Sequence, residues 1–223
     1  MRCLMIVLAL LIVAPETTNA YPASSLASIQ VVAPPNPTHI TLKDGDAVTA
    51  IALGVLFGPG ATAGELVGSA EESGRDPSLS QKMAEQNLRI GDELAQAMES
   101  ALKQRGYNAS VAALPQSPTT RIVFIIEEAG YERRVWGKVG PKLTVRVRLL
   151  DAVSGSNLWR DTYKYDLVAM TIGWTMLRPP EQYGFKEPED VLAQPGLAVE
   201  GLRTGIRMIA DRAASDMLED VDK

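Results

Sequence analysis

Residues 143–167 read LTVRVRLLDAVSGSNLWRDTYKYDL, and the spacing of apolar side chains in this stretch decides the fold class. Four aliphatic residues alternate with polar ones from Leu143 to Leu149, which is typical of a strand with one buried face and one wet face. A second strand is predicted over 158–167, with Trp159, Tyr163 and Tyr165 on one face. The turn-forming residues 154–157, SGSN, lie between them and predict an antiparallel hairpin.

The rest of the chain predicts more strands and two helices. Residues 122–126, IVFII, are continuously apolar, which favours a strand buried on both faces. Helical spacing of apolar residues predicts helices over about 78–105 and 197–219. The first ends before Gly106, in the position of a left-handed C′ glycine, and Tyr107 closes a Schellman-type end. Other candidate strands lie at 29–32 and 39–42, both as short edge strands, and at 107–114. The fold predicted is α+β, a single domain in which a mostly antiparallel or mixed sheet of four or five strands packs against the two long amphipathic helices.

The first twenty residues have the pattern of a secretory signal peptide. A positive charge at Arg2 precedes an apolar run from Leu4 to Ala14, and small residues end the segment at Ala20. The run is about half the ~20 residues of a spanning helix. We expect an exported protein of the periplasm or cell envelope. Its only cysteine, Cys3, leaves with the signal, which excludes disulfides and zinc–thiolate sites.

The domain boundaries follow from composition. An extended, proline-containing lead-in is expected over residues 21–45, and a single α+β domain over 46–223. Residues 168–195 contain four prolines and predict a long connector without secondary structure, a kind of segment that is often functional. The formal net charge is -5 and no block of like charge is present, which argues against nucleic acid or an anionic lipid surface as partner.

Residues 92–166 resemble the small α/β domain of several bacterial envelope families. The motifs are RGY at 105–107 after a helix, the strand LTVRVRLLD at 143–151, the turn at 154–155 and LWRD at 158–161. This order is similar to the curli-secretion lipoprotein, the lipoprotein activators of penicillin-binding proteins and the amino-terminal domain of the Tol translocation protein. The resemblance implies an accessory or assembly protein of the envelope and carries over no catalytic residue.

The residue pattern contains no recognisable catalytic set. His39 is the only histidine and has no metal-ligand neighbour, so a solvated loop histidine is predicted. Glu127 and Glu128 are adjacent and are expected on opposite faces of a strand. Asp161 shares strand parity with aromatic residues, where Arg146 or Arg148 would neutralise it. The glycines at 58–64 lack a strand–turn–helix frame. We therefore expect a protein that is not an enzyme, with no catalytic residue, no cofactor and no metal.

The preferred functional hypothesis is contact with another envelope protein. Aromatic residues and arginine in loops are typical of interfaces, and the candidate partner contacts are Arg134, Trp136, Trp174, Met176 and Tyr183. A first alternative is a membrane-apposed or self-associating module that uses the uncharged, glycine-rich segment 47–68; its candidate contacts are Gly54, Gly58, Gly60, Gly64 and Gly68. Membrane contact is possible but not favoured. A second alternative is a periplasmic protein that binds a small ligand between the connector and the sheet.

Overall fold

The computed structural model describes residues 26–43, 77–111, 118–133, 137–167 and 173–221. These residues form a mixed sheet of seven strands with helices, which confirms an α+β single domain. The strands are β1 (Ile29–Val31), β2 (Thr41–Lys43), β3 (Ala109–Ser110), β4 (Thr120–Arg133), β5 (Val139–Asp151), β6 (Asn157–Tyr165) and β7 (Thr175–Leu177). The helices are α1 (Pro77–Glu85), α2 (Ile90–Gln104), α3 (Pro188–Ala193) and α4 (Pro195–Val221). The predicted count of four or five strands is wrong, because it missed short strands at the margins of the sheet.

The sheet has the order β3-β1-β4-β5-β6-β7, and β2 pairs with β4 beyond the end of β1. The strand β1 is parallel to both β3 and β4, so it is an interior strand and not the edge strand predicted for residues 29–32. Ile29 and Val31 are fully buried, which explains the interior position. The predicted lead-in therefore contributes two strands to the sheet.

The long strands β4, β5 and β6 are antiparallel neighbours, and the predicted hairpin is present. Asp151 holds the hairpin turn, because its carboxylate accepts hydrogen bonds from the backbone N–H groups of Val153 at 3.1 Å and Ser154 at 2.6 Å. The hydrogen bonds from Ser154 lower the pKa of the Asp151 carboxyl. The inward residues of β5 are fully buried, as their alternation predicts: Leu143, Val145, Val147 and Leu149.

The described helices pack on one face of the sheet, and a single hydrophobic core lies between the two layers. Ile122 and Phe124 of β4 point into this core, whereas Ile125 is 42% exposed. The prediction that residues 122–126 are buried on both faces is therefore wrong. A two-layer domain buries one face of its sheet, so even a continuous apolar run alternates between core and solvent.

The helix predicted over 78–105 is two helices, α1 and α2. Asn87 interrupts it with a φ of 55°, a left-handed conformation that asparagine tolerates better than most residues. The N–H of Leu88 donates to the carbonyl of Met83 at 3.1 Å, and that of Asn87 to Ala84 at 2.9 Å, which is a Schellman end. Because the chain turns here, the side chain of Leu88 is also placed in the core.

The end of α2 and the whole of α4 match the prediction. Gly106 has a φ of 86°, and Tyr107 N–H donates to the carbonyl of Leu102 at 3.1 Å, so this helix ends in the predicted Schellman motif. The predicted apolar stripe of the carboxyl-terminal helix is buried: Val199, Leu202, Ile206, Ile209, Ala213 and Met217.

The connector 168–195 contains more structure than predicted. Within it lie β7, a turn of 3-10 helix at Glu181–Tyr183, and α3. Phe185 exchanges two backbone hydrogen bonds with Val139, each of 2.8 Å, and its ring packs against Tyr131. The prolines did not prevent secondary structure in this segment, because proline is well suited to the first position of a helix. Pro188 occupies that position in α3.

Two glycines bring α4 close to tyrosine side chains of the sheet. A Cβ atom on Gly205 would lie 2.5 Å from Cδ1 of Tyr165, and one on Gly201 would lie 2.5 Å from the hydroxyl of Tyr131. The Tyr131 hydroxyl donates to the carbonyl of Ala198 at 2.7 Å. Contacts this short leave no room for a methyl group, so α4 lies at this depth because both positions are glycine.

We expect Gly205→Ala to lower the free energy of unfolding by about 1–3 kcal/mol, because the added methyl group overpacks the Tyr165 ring. Urea denaturation of the purified protein measures the change. Gly196→Ala is the matched control in the same helix, since a Cβ there meets nothing within 4 Å. The control is expected to have the wild-type free energy of unfolding, or one that is up to about 1 kcal/mol higher. Equal midpoints for the two variants would contradict the close approach.

Tyr165→Phe is expected to change the stability differently at neutral and alkaline pH. The Tyr165 hydroxyl is buried and has no hydrogen-bond partner in the described residues, so its removal should leave stability unchanged or raise it by about 1 kcal/mol at neutral pH. Burial, chiefly, raises the pKa of Tyr165 above its usual value of 10.0. Below pH 10 both folded and unfolded tyrosine are neutral; above it only the unfolded state ionises, so stability falls as pH rises.

The Phe variant lacks this ionisation, so its stability should decline less steeply above pH 10. Urea denaturation at a series of pH values measures both slopes. Tyr131→Phe is the control at neutral pH. Loss of its hydrogen bond to Ala198 should lower the free energy of unfolding by about 1 kcal/mol there. Identical alkaline slopes for wild type and Tyr165→Phe would show that this side chain does not stay protonated in the fold.

Candidate functional site

The candidate site is the face of the sheet that points away from the helices, named here the open face. Strand parity assigns its residues: alternate positions of each strand point to the core, and the positions between them point outward. Two large aliphatic side chains are exposed on the open face: Ile125, within β4, at 42%, and Val32, the residue after β1, at 38%. The residues used below are Val32, Arg121, Val123, Ile125, Arg146, Arg148, Leu150, Arg160, Lys164, Trp174 and Met176.

Three arginines from three strands form an arginine cluster on this face: Arg121, Arg148 and Arg160. Arg148 of β5 is directly opposite Arg160 of β6 in the strand register, which places their Cβ atoms about 5 Å apart. Arg121 of β4 pairs with Leu150, two residues from Arg148, and so lies at the diagonal distance of about 7–8 Å. The three side chains therefore share one region of the open face, each at its own position on a neighbouring strand.

The arginine cluster has no acidic partner within the described residues, where none of the three side chains forms an ion pair or a hydrogen bond. The Nε atom of Arg148 is buried and unpaired. A buried donor without an acceptor costs about 1–3 kcal/mol, and like charges directly opposite each other also destabilise a sheet. Among the described residues this arrangement of charge is unfavourable, and an anionic group over it would offset the cost.

A β-bulge shapes the next part of the open face. The register of β4 against β5 shifts between Ile126 and Glu128, so Glu127 is an extra residue. Glu127 pairs with Arg146, and Glu128 accepts a hydrogen bond from Thr144 at 3.2 Å. Arg146 and Thr144 are two residues apart on β5, so both glutamates lie on the same face. The expectation that they point to opposite faces is wrong, because the bulge breaks the alternation.

Glu128 is held by lysines as well as by Thr144. The Nζ atoms of Lys142 and Lys43 lie 3.0 and 3.8 Å from its carboxylate. Burial alone raises the pKa of the Glu128 carboxyl, but these two charges and the hydrogen bonds outweigh burial, and the pKa is lowered. This end of the open face is therefore internally neutralised, in contrast to the arginine cluster.

The opposite margin of the open face, at β7, carries an exposed aromatic residue. Trp174 is 39% exposed, and the Nζ atom of Lys164 lies 5.5 Å from the centre of its ring, within cation–π distance. Met176 pairs with Lys164 in the strand register and is partly exposed. The predicted contacts Trp174 and Met176 thus border the same surface as the arginine cluster.

One further predicted contact, Tyr183, does not join this surface. Tyr183 is only 6% exposed, and its hydroxyl accepts a hydrogen bond from Thr204 of α4 at 3.1 Å, so it belongs to the core side. Arg134 and Trp136 lie outside the described residues, as do all five candidate glycines: Gly54, Gly58, Gly60, Gly64 and Gly68.

Asp161 has a different partner from the one predicted. Its register partner is Val147, so it faces the helix side, while Arg146 and Arg148 face the open side. Its carboxylate accepts hydrogen bonds from Thr175 Oγ1 at 3.0 Å and from the N–H of Thr162 at 2.7 Å. His39 is exposed in the loop before β2, as predicted.

Two kinds of feature are absent from the described part of the chain. None of its helices combines the length and the hydrophobicity that crossing a membrane requires. No group of three or more His, Cys, Asp or Glu side chains in those ranges is placed to hold a metal ion.

Sequence reasoning missed the arginine cluster. The alternation in 143–149 correctly placed Arg146 and Arg148 on the wet face of a strand. It did not show that Arg121 and Arg160 join Arg148, because that depends on the register of three strands and on two irregularities in their pairing. A count of charge along the chain gave no sign of it, since these arginines are far apart in sequence.

Comparison with known proteins gives structural neighbours only. No protein-family model matches the chain, and no curated protein matches it. Protein XCC0632 of Xanthomonas campestris, of family DUF330, has a TM-score of 0.43 at 12% identity, with 88% of each chain covered. A proposed lipoprotein from Caulobacter crescentus has a TM-score of 0.31 at 15% identity, covering 60% of this chain and 81% of its own.

Lipoprotein GNA1162 from Neisseria meningitidis has a TM-score of 0.23 at 14% identity, covering 62% of this chain and 81% of its own. At these TM-scores no function passes from the three proteins to this chain, and its own residues must support whatever is proposed for it.

Proposed function

We propose that this chain is an exported, non-enzymatic accessory protein of the cell envelope that binds another protein through the open face. The observation that carries the proposal is the composition of that face. Exposed Ile125 and Val32 lie beside arginines that have no acidic partner in the described residues, and exposed Trp174 lies at the margin.

Export is supported by the first twenty residues. The basic start, the apolar run from Leu4 to Ala14 and the small residues up to Ala20 are the three parts of a secretory signal. An exported chain of this kind meets its partners in the envelope or beyond it, which fits a protein-binding role in that compartment.

Protein contact is supported by the types of residue on the open face. Interfaces are enriched in arginine and in aromatic residues, and their centres are apolar with a polar rim. Val123 and Ile125 supply apolar area in the middle of β4, with Arg121 and Arg148 around them. Because strands β4 to β6 are long and paired, this surface is rigid before binding, so that little conformational freedom would be lost when a partner binds.

We expect Ile125→Asp to abolish capture of the partner, because a carboxylate would be desolvated at the apolar centre of the interface. Cross-linking in intact cells followed by mass spectrometry measures capture. The melting temperature should change little, since a partly exposed strand position costs about 1 kcal/mol or less. Trp174→Ala should weaken capture in the same way at the margin of the face.

Val153→Asp is the matched control. Val153 is 95% exposed in the hairpin turn and lies off the open face, so the variant should capture the partner as well as wild type does. The proposal fails if Ile125→Asp retains full capture, or if the two aspartate variants lose capture equally.

A further inference from the structure

The arginine cluster of Arg121, Arg148 and Arg160 opposes the overall charge of the protein. The chain has a formal net charge of -5, yet this part of its surface holds three positive charges with no acidic partner in the described residues. The neighbouring Arg146 is paired with Glu127, and Lys164 lies 3.6 Å from Asp166. Within β4, β5 and β6 the positive charge without an acidic partner in the described residues is therefore confined to the cluster.

We infer that the arginine cluster binds carboxylate side chains of an acidic segment on the partner, whose apolar residues contact Val123 and Ile125. This inference rests on the proposed function and names the chemistry of the partner. Arginine presents a planar fork of donors that matches a carboxylate with two parallel hydrogen bonds. The Nε–H of Arg148 belongs to such a fork, and it is buried without an acceptor.

The spacing of the cluster favours several carboxylates over one compact anion. Its arginines come from three neighbouring strands, and by the strand register their Cβ atoms are separated by about 5 Å and about 7–8 Å. Alternate side chains of an extended segment are separated by about 6.6–6.8 Å. An extended segment with acidic residues at every second position presents its carboxylates on one face, where they can lie over the arginines, and an apolar residue on that same face can contact β4. A single phosphoryl group would lie close to fewer of these charges.

The test uses a synthetic peptide of alternating Glu and Val as probe, with a peptide of alternating Gln and Val as its uncharged match. Binding is followed by NMR at the Nε–H signal of Arg148 in the full exported chain. We expect the Glu–Val peptide to shift this signal, the Gln–Val peptide to leave it in place, and added salt to weaken the binding. Arg160→Gln should weaken peptide binding about tenfold.

Arg89→Gln is the matched control, since it removes the same charge from an exposed position beside Asp92, on a residue that precedes α2 on the helix side. It should bind the peptide like wild type. Arg148→Lys keeps the charge and loses the fork, and should also weaken binding, while circular dichroism reports whether each variant is folded. Inorganic phosphate is titrated in parallel.

The inference is overturned if the Glu–Val peptide leaves the Arg148 signal unmoved, if Arg89→Gln weakens binding as much as Arg160→Gln, or if inorganic phosphate binds more tightly than the peptide. These results are separable from failure of the proposed function. If capture in cells depends on Ile125 but the peptide does not bind, the open face is still an interface and the inference of an acidic partner is wrong. Loss of dependence on Ile125 would discard the interface itself.

Discussion

The described helices cover one face of the sheet, and the other properties of this domain depend on that one-sided cover. Leu143, Val145, Val147 and Leu149 are fully buried because α4 lies over them. The helix can lie that close because Gly201 and Gly205 leave room for Tyr131 and Tyr165. The residues between the buried ones have no second layer of described helices above them, so their side chains form the outer surface of the described part of the chain.

That outer surface contains two regions with different electrostatics. Near the bulge, three carboxylates neutralise three basic residues, so charge is balanced within the chain: Glu127, Glu128 and Glu132 pair with Arg146, Lys142 and Lys43. Along the other half of β4 the arginines have no such partners in the described residues. The arginine cluster is the better candidate for an interface, since charges that are already paired gain little from a new partner.

Most of the central fold could be predicted from the sequence, since local patterns determine it. Period-two alternation identified β5 and β6, and period 3.6 identified α4 with its buried stripe. Gly106 ended α2 as expected, but Asn87 ended α1 by the same motif and was missed, because asparagine is a weaker signal for a left-handed residue than glycine. The parallel strands β1, β2 and β3 are only two or three residues long, and pairing of distant segments makes them strands.

The candidate site was less predictable than the fold for a related reason. Trp174 and Met176 could be named as candidates because aromatic and sulfur-containing side chains in a proline-rich segment are informative by themselves. Arg121, Arg148 and Arg160 are ordinary polar residues of three strands, and only the register brings them together. For Asp161, strand parity correctly predicted the helix side of the sheet, but it did not identify Thr175 as the hydrogen-bond partner.

The extra residue at Glu127 also bears on which changes of length β4 can accept. On one side of it even-numbered residues such as Ile122 and Phe124 enter the core, and on the other side odd-numbered residues such as Tyr131 do. Deleting that one residue would restore regular alternation and leave both sets of side chains in the core, because the bulge alone changes the parity. A deletion between Ile122 and Phe124 would instead move core side chains to the opposite face. An aligned relative that is one residue shorter at the bulge could therefore keep the same core.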